Sequence, residues 1–172
     1  MSYRQWEIPI EALSAAQRQG LAYWRSLSDP HHLPAIKDFD LLGFPPEVLP
    51  TTHIVDVIDG GAEFKYRFWG SGFRDHFGYD GTGMTYAELR PQEIREPVRA
   101  ATRRIVDERR PLAMMSEFKR GPLHDTQGFQ RIIRMPLVSA AGAVDQIVSI
   151  VEFLQDYRES QRIIAEVKAE RF

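Results

Sequence analysis

Histidines are the residues of this chain best suited to catalysis or metal binding, and there are five of them. No His-Glu-x-x-His pattern occurs, and His53 and Asp56, three residues apart on a predicted strand, are expected on opposite faces of it. His76 stays a candidate because its short helical segment adjoins a predicted cavity, although a surface position is the simpler interpretation. No catalytic residue and no metal site are therefore predicted.

The second chemical feature is an absence, since the chain of 172 residues contains no cysteine. Disulfides, cysteine-ligated metal sites and thiol nucleophiles are thereby excluded. The formal net charge of −2 gives no general attraction to nucleic acid or to anionic lipid. No apolar run is long enough to span a membrane, so we expect a cytoplasmic protein with neither a nucleic-acid nor a membrane partner.

Two short glycine motifs, Gly-Ser-Gly at 70–72 and Gly-Thr-Gly at 81–83, invite comparison with phosphate-binding loops. A dinucleotide fingerprint needs a third glycine three residues further on, where Asp75 and Tyr86 stand. No Gly-Lys-Ser/Thr follows either motif, and Ser71 lacks the more distant glycines of a nucleophile elbow. We interpret these residues as turn glycines.

Arginines at 95, 99 and 103 form a stripe on a predicted helix. Such a stripe could bind an anion. Because Glu96, Asp107 and Glu108 are interleaved with it, a solvated face with local ion pairs is the favoured interpretation.

The elements that must position these residues are predicted from apolar periodicity and from turn residues. The order is helix, two strands, short helices, one longer helix, three strands and a final helix, which is typical of an α+β domain with helices on one face of its sheet. The predicted helices span about 11–28, 97–109 and 155–171, the predicted strands span 53–59, 63–69, 111–118, 127–138 and 144–154, and prolines mark a connector over 30–50.

The strand over 63–69 has the clearest alternation in the chain. Phe64, Tyr66 and Phe68 fall on one face, and Lys65 and Arg67 fall on the other. We predict an antiparallel hairpin whose aromatic face is buried.

Five stretches of the chain form a recognisable pattern of glycine and apolar residues. They are KYRFWGS at 65–71, FGYDGTG at 77–83, RPL at 110–112, RMPL at 134–137 and GAVDQIV at 142–148. In order and spacing, the first two resemble the second strand and the following helical turns of a PAS sensor domain, and the other three resemble its last three strands. Within that family, the likeness is to bacterial proteins that consist of little more than one PAS domain behind an N-terminal helical extension.

The resemblance implies a five-stranded antiparallel sheet of order 2-1-5-4-3, with helices over one face, a small cavity between them, and flanking N- and C-terminal helices. It divides the chain into an N-terminal helix and proline-rich connector (1–50), a PAS-like domain (51–154) and a C-terminal helix (155–172). Domains of this family sense small ligands or cofactors, or dimerise, and pass the change through a helix beside the sheet.

No known cofactor is implied by the resemblance. The chain has no cysteine for the thiol-based photochemistry of the family. It also has no histidine in the helix at 97–109, where the haem-binding branch carries its ligand. The cofactor is therefore left unknown.

Alternation along the strands predicts the walls of the cavity, provided that the aromatic face of the strand at 63–69 meets the helices. Arg131 is the exception among these walls. A buried arginine needs an anionic partner such as a ligand carboxylate, unless a bulge or a strand end turns it outward. The predicted ligand-binding residues are Tyr66, Phe68, Phe73, Phe77, Met84, Ile105, Met114, Ser116, Arg131, Ile133, Met135 and Ser149.

These features predict a PAS-type sensory or regulatory module without enzymatic activity, which binds a small ligand, dimerises, or signals through a partner protein in trans. Apolar stripes on the two terminal helices predict a homodimer. The stripes consist of Leu13, Leu21, Trp24 and Leu27 on the first helix and of Ile164 and Val167 on the last.

Two other functions stay open at this stage. A small pocketed α+β enzyme of the isomerase or dehydratase type needs His76 or His124 buried against Asp80 or Asp125. A ligand-free structural interaction domain needs no cavity at all.

Overall fold

The computed structural model describes residues 3–119 and 127–154 together with Ala165. Within these residues, six antiparallel strands form one sheet, and α-helices and single-turn helices cover both of its faces. The strands are β1 (Tyr3–Glu7), β2 (Thr52–Ile58), β3 (Glu63–Trp69), β4 (Leu112–Lys119), β5 (Gln127–Val138) and β6 (Val144–Leu154), and the α-helices are α1 (Ala15–Ser26), α2 (Phe73–Phe77) and α3 (Arg95–Glu108).

The strand order in the sheet is β1-β4-β5-β6-β2-β3. When β2 is counted as the first strand, the run from β3 to β4 has the predicted order 2-1-5-4-3, so that prediction is confirmed. The sixth strand, β1, was not predicted, and it pairs with β4 in a register that places Trp6 opposite Met115. Its sequence, Tyr-Arg-Gln-Trp-Glu, has no apolar alternation that would mark a strand.

Each face of the sheet has its own hydrophobic core. On the front face, side chains that include Phe64, Leu112 and Ile147 pack against α2, α3 and the short helices between them. On the back face, side chains that include Met115 and Ile133 pack against α1 and the proline-rich connector. The sheet is therefore the middle of three layers, and the first helix of the chain supplies the third.

Helix α1 is held on the back face by its side chains. Ser14 caps its first turn by accepting from the Gln17 backbone N–H. The Gln17 amide donates to the carbonyls of Arg131 and Ile150 at 2.9 and 3.3 Å, and the Trp24 indole donates to the carbonyl of Pro136 at 2.9 Å. These contacts attach the helix to β5 and β6.

This packing removes the reason for which the first helix was predicted to form a dimer, while dimerisation itself stays a prediction. Leu13, Leu21 and Trp24 are buried in the back core, and Leu27 is half-buried. Among the described residues, Leu42 is the one exposed large hydrophobic side chain, and it lies in the connector. The stripe on α1 is therefore satisfied within its own chain. The other stripe, with Ile164 and Val167 on the predicted C-terminal helix, lies outside the described residues.

The arginine stripe on α3 confirms the prediction of local ion pairs. Arg103 pairs with Asp107, and Arg99 pairs with Glu96 and more closely, at 2.7 Å, with Glu63 of β3. These arginines also donate to backbone carbonyls of the β2–β3 turn, which fastens α3 to the sheet.

Gly70 ends β3 where the backbone passes very close to the connector. Its N–H donates to the carbonyl of Thr52 at 2.9 Å. A Cβ at this position would overlap the backbone carbonyl of Pro50. Gly70 is thus required by close approach, whereas Gly83, at φ +81, is the turn glycine that the sequence predicted.

No helix among the described residues is long and apolar enough to cross a membrane.

Candidate functional site

The front face of the sheet carries a cavity of about 460 Å³, partly open to solvent, beneath α2, α3 and the segment between them. This volume lies in the range of roughly 300–1,000 Å³ that is typical of small-molecule sites. Its walls are mostly aromatic and aliphatic, with a few polar groups. The lining residues that recur below are Tyr3, His53, Tyr66, Trp69, Phe73, Phe77, Gln130, Ile132 and Arg134.

A line of four polar side chains crosses the floor of this cavity. Trp69 of β3 pairs with His53 of β2, His53 pairs with Ser149 of β6, and Ser149 pairs with Arg134 of β5. Directly opposed residues of antiparallel strands project to the same face, so all four side chains lie on the front face. We call these four residues the polar row.

Every member of the polar row has a buried polar atom without a hydrogen-bond partner. These atoms are Trp69 Nε1, His53 Nδ1, Arg134 Nε and Ser149 Oγ. Buried polar groups are hydrogen-bonded in the great majority of cases, so four unsatisfied groups in one line require an explanation. Three of the four residues line the cavity, and Ser149 lies between them in the sheet.

Arg134 is the charged member of the polar row, and it is only 3% exposed. Its Nη1 lies 3.3 Å from the Met114 sulfur, a weak acceptor. It forms no ion pair with any carboxylate in the stretches 3–119 and 127–154. Burial of an arginine without a counter-ion is costly, so the front face holds an uncompensated positive charge.

His53 is neutral because of this environment. Burial, with the nearby positive charge of Arg134 adding to it, lowers the pKa of His53 to about 3. Its ring lies 5.2 Å from that of Tyr66 in an edge-on arrangement and 6.4 Å from that of Trp69 in a stacked one. A neutral imidazole can donate or accept at its free nitrogen, depending on its tautomer.

A tyrosine pair connects the cavity to helix α3. The rings of Tyr66 and Tyr86 pack with their centroids 5.2 Å apart, and the Tyr86 hydroxyl lies 3.2 Å from that of Thr102. Thr102 donates to the carbonyl of Val98 at 2.8 Å, so the Tyr86 hydroxyl is the donor to Thr102. Burial raises the pKa of Tyr66 well above its usual value, so the phenol keeps its proton. The contact from β3 to α3 is therefore made by uncharged groups.

A second polar cluster lies on the same face, where the added strand β1 closes the sheet. Ser116 donates to Gln130 at 3.1 Å, and Gln5 of β1 lies opposite Ser116. The Gln5 amide donates to the hydroxyl of Tyr3, which lines the cavity. Burial raises the pKa of Tyr3, so this phenol is also neutral. The first residues of the described chain thus form part of the cavity wall.

The rim of the cavity is built from α2 and the segment after it. Asp75, His76 and Arg90 lie there, and the His76 ring stacks on Phe153 at 3.5 Å between centroids. The guanidinium of Arg90 lies 5.3 Å from the centroid of the Tyr79 ring. Gly81 allows Trp69 to pack beneath this segment, since a Cβ there would come within 2.7 Å of the indole.

Several of the predicted site residues lie where alternation placed them. Tyr66, Phe73 and Phe77 line the cavity. Met114 and Ile105 belong to the front core around it. Ser116 and Ser149 are buried on the front face, while Met84 is half-buried and contributes a backbone carbonyl that accepts from the Tyr66 N–H. Whether any of them binds a ligand stays a prediction.

Phe68, Ile133 and Met135 were predicted to face the cavity, and this placement is wrong. A bulge in the β2–β3 pairing lies between Ile54 and Val55, and it turns Phe68 to the back core. On β5 the predicted parity is reversed, because Ile132 faces the front while Ile133 and Met135 face α1.

Arg131 is also on the back of β5, and its partners belong to the protein. Its guanidinium Nε donates to Glu152 at 2.9 Å, and Nη1 donates to the carbonyl of Ala12 at 3.0 Å. The prediction that a buried arginine needs an anionic partner therefore holds, but the partner is Glu152. The arginine on the cavity side is Arg134, which the sequence analysis did not select.

Trp69, His53, Gln130 and Tyr3 were also missed as cavity residues. Strand β5 contains charged and polar residues at both parities, so its sequence alone did not identify the inward face. The pairing of Arg134 with Ser149, itself a predicted site residue, would have identified it.

The pairing of His76 with Asp80, which the enzyme alternative named, is not formed in the described part of the chain. Asp80 pairs with Arg74 and accepts from the Thr82 N–H, and His124 and Asp125 lie outside the described residues. No group of three His, Asp or Glu side chains in the described parts of the chain could hold a metal ion.

Comparison with solved structures identifies the fold. The dark-state structure of the LOV domain of the blue-light photoreceptor Aureochrome1 matches with a TM-score of 0.52 at 14% identity, over 84% of this chain and 98% of that one. A sensory box histidine kinase/response regulator from Burkholderia thailandensis matches with a TM-score of 0.41 at 14% identity, over 70% and 90% of the two chains. A LOV protein from Rhodobacter sphaeroides gives 0.44 at 15%, over 84% and 71%.

The match to the Aureochrome1 domain, together with the strand order, defines an α+β fold of the PAS type. At this identity the likeness concerns the fold alone. No protein-family model and no curated protein matches the chain.

Proposed function

We propose that this protein is a sensory or regulatory module that binds a small molecule in the cavity on the front face and acts on a partner protein rather than on a substrate. The observation that carries the proposal is a cavity of about 460 Å³ whose lining holds three buried polar atoms without partners. A core that served packing alone would satisfy or replace such groups, because each costs about 1–3 kcal/mol when left unsatisfied. A ligand with matching groups removes this cost.

The contacts around the cavity offer two routes by which occupancy reaches the surface. Tyr66 packs against the ring of Tyr86, whose hydroxyl bonds to Thr102 on α3. The main chain of β5 and β6, behind the polar row, accepts hydrogen bonds from Gln17 on α1. A ligand that moves Tyr66 or the strands therefore changes the position of a helix on one face or the other.

The domain boundaries are proposed on the same basis. Residues 51–154 form the sensory unit, and 1–50 form an extension whose strand β1 and helix α1 complete the edge and the back of the sheet. The proposal of a homodimer now depends on Ile164 and Val167 in the segment 155–172. Sedimentation of the full chain and of an Ile164→Asp, Val167→Asp variant tests it, and a monomeric wild-type chain at micromolar concentration would overturn it.

Native mass spectrometry of freshly purified protein tests the small-molecule proposal. We expect a bound mass that is lost on denaturation and refolding, and a thermal shift when the extract of denatured protein is added back. A Val151→Phe variant fills part of the cavity and should retain less of the ligand, whereas Ala22→Ser on the exposed side of α1 is the matched control. If no mass is bound and no compound in a panel of acids, bases and neutral molecules shifts the melting temperature, the proposal is wrong.

A further inference from the structure

Resting on the proposed small-molecule site, we infer that its ligand is an organic monocarboxylate with a flat apolar body, and that the carboxylate binds Arg134. The inference begins from the charge of Arg134, which is buried and has no carboxylate partner among residues 3–119 and 127–154. A carboxylate is the group that a guanidinium fork recognises best, since two parallel hydrogen bonds accompany the charge neutralisation.

The unpartnered nitrogens of the polar row also require hydrogen-bond acceptors on the ligand. Arg134 Nε and Trp69 Nε1 are donors only, so each requires an acceptor. His53 is neutral and can adapt to either role. A cationic ligand would oppose the charge of Arg134 and leave both donors unsatisfied. The site therefore favours a ligand that carries hydrogen-bond acceptors and places its negative charge next to Arg134 on β5.

The length of the polar row and the side chains beside it indicate the size and shape of the ligand. Three strand spacings separate Trp69 from Arg134, which corresponds to roughly 14 Å between their backbones. Tyr66, Phe73 and Ile132 line the cavity alongside the row. An aromatic or fused-ring body fits these walls, and a polar acceptor at its far end would lie on the side of Trp69.

One buried arginine indicates one negative charge at the inner end of the ligand. Asp75 and Arg90 both lie at the rim, where their opposite charges offset each other, and no other buried arginine or lysine lines the cavity among the described residues. A second anionic group inside the cavity would bring more charge than Arg134 can balance.

In ligand-free protein, removing the buried charge of Arg134 should have the opposite effect on stability from removing an arginine that stabilises the fold. Replacing Arg134 by methionine removes an uncompensated buried charge, so we expect Arg134→Met to raise the melting temperature of ligand-free protein. The matched variant on the other face of the same strand, Arg131→Met, removes the partner of Glu152 and should lower it. A lower melting temperature for Arg134→Met would overturn the view that this charge awaits a ligand.

Binding is tested with phenylacetate and 2-naphthylacetate against their neutral amides, by calorimetry on refolded protein. We expect the carboxylates to bind about tenfold or more tightly than the amides, as befits a charged hydrogen bond. Arg134→Gln should abolish this preference, Arg134→Lys should restore part of it, and Arg131→Gln should keep it.

The outcomes separate the two proposals. Equal binding of acids and amides by the wild type, or a co-purified ligand without a negative charge, would overturn the carboxylate inference and leave the small-molecule function standing. Failure of every compound to bind, together with the absence of a co-purified mass, would overturn both.

Discussion

His53 and Arg134 oppose the same residue, Ser149, from the two strands that flank β6. Both are buried, at 6% and 3% exposure, and both carry a polar atom without a partner. The burial of His53, with the charge of Arg134 adding to it, keeps His53 neutral, so the two form one electrostatic unit. Four predictions follow from this unit and from the contacts around it.

The first prediction concerns pH. The pKa of His53 in the folded protein, about 3, lies below the ordinary value of 6.5, so between these values the unfolded chain binds a proton that the folded chain does not. The free energy of unfolding should therefore fall as the pH is lowered through this window, by at most about 1.4 kcal/mol per pH unit from His53. Urea denaturation at a series of pH values from neutral to mildly acidic measures this dependence of the free energy of unfolding on pH.

The groups that face His53 are the rings of Tyr66, Trp69 and Phe73 and the guanidinium of Arg134, and burial raises the pKa of Tyr66 far above that window. His53→Gln should therefore reduce the pH dependence to the part contributed by carboxylates, while His31→Gln, at an exposed position, should leave it unchanged. If the wild type and His53→Gln show the same slope, the neutral state of His53 is wrong.

The second prediction concerns α1. Trp24→Ala should lower the free energy of unfolding by about 3–5 kcal/mol, because it opens a cavity in the back core. It also removes the indole that donates to Pro136. Trp24→Phe should cost less. Arg25→Ala, one position along on the exposed side, should change stability by less than about 0.5 kcal/mol.

Chemical denaturation measures the stability of the Trp24 variants, and sedimentation of the same samples checks their oligomeric state. A change in oligomeric state without a loss of stability would contradict the buried position of this residue.

The third prediction concerns the hydrogen bond between Tyr86 and Thr102. Tyr86→Phe should cost about 1 kcal/mol, since it removes the hydroxyl that donates to Thr102 on α3. Tyr66→Phe keeps the ring contact with Tyr86 and leaves that hydrogen bond in place. Hydrogen exchange of the α3 amides should rise more in Tyr86→Phe than in Tyr66→Phe, and the reverse order would show that α3 does not depend on this hydrogen bond.

The fourth prediction concerns Gly70. Gly70→Ala should lower the free energy of unfolding by about 2 kcal/mol or more, because the overlap is with a backbone carbonyl that cannot rotate away. Gly142→Ala should cost about 1–2 kcal/mol, since only the left-handed conformation opposes it and its surroundings are open. Equal costs, measured by denaturation, would mean that the connector shifts to accommodate the methyl group.

The fold was largely predictable because its signals are local. Strand β3 alternates cleanly from Glu63 to Arg67, Pro111 precedes β4, and the turns at 59–61 and 141–142 contain glycine. The bulge that turns Phe68 to the back was not predictable from this strand, because a bulge depends on the pairing between two strands.

The site was less predictable than the fold for a related reason. Strand β5 is buried on both faces, so its apolar residues do not alternate with polar ones, and one error of parity exchanged Arg134 for Arg131. The back face of the sheet is hydrophobic because α1 covers it. Since the sequence analysis assigned α1 to a dimer interface, it gave no reason to place Ile133 and Met135 on the face that contacts this helix.

The single amide of Gln17, which binds the carbonyls of Arg131 on β5 and Ile150 on β6, spans the joint between these two strands. The other side of that joint carries Arg134 and Ser149. A change in the spacing of β5 and β6 would lengthen one of the two hydrogen bonds, because both are donated by the same nitrogen. Gln17 thus couples the position of helix α1 to the spacing of the two strands that carry Arg134 and Ser149.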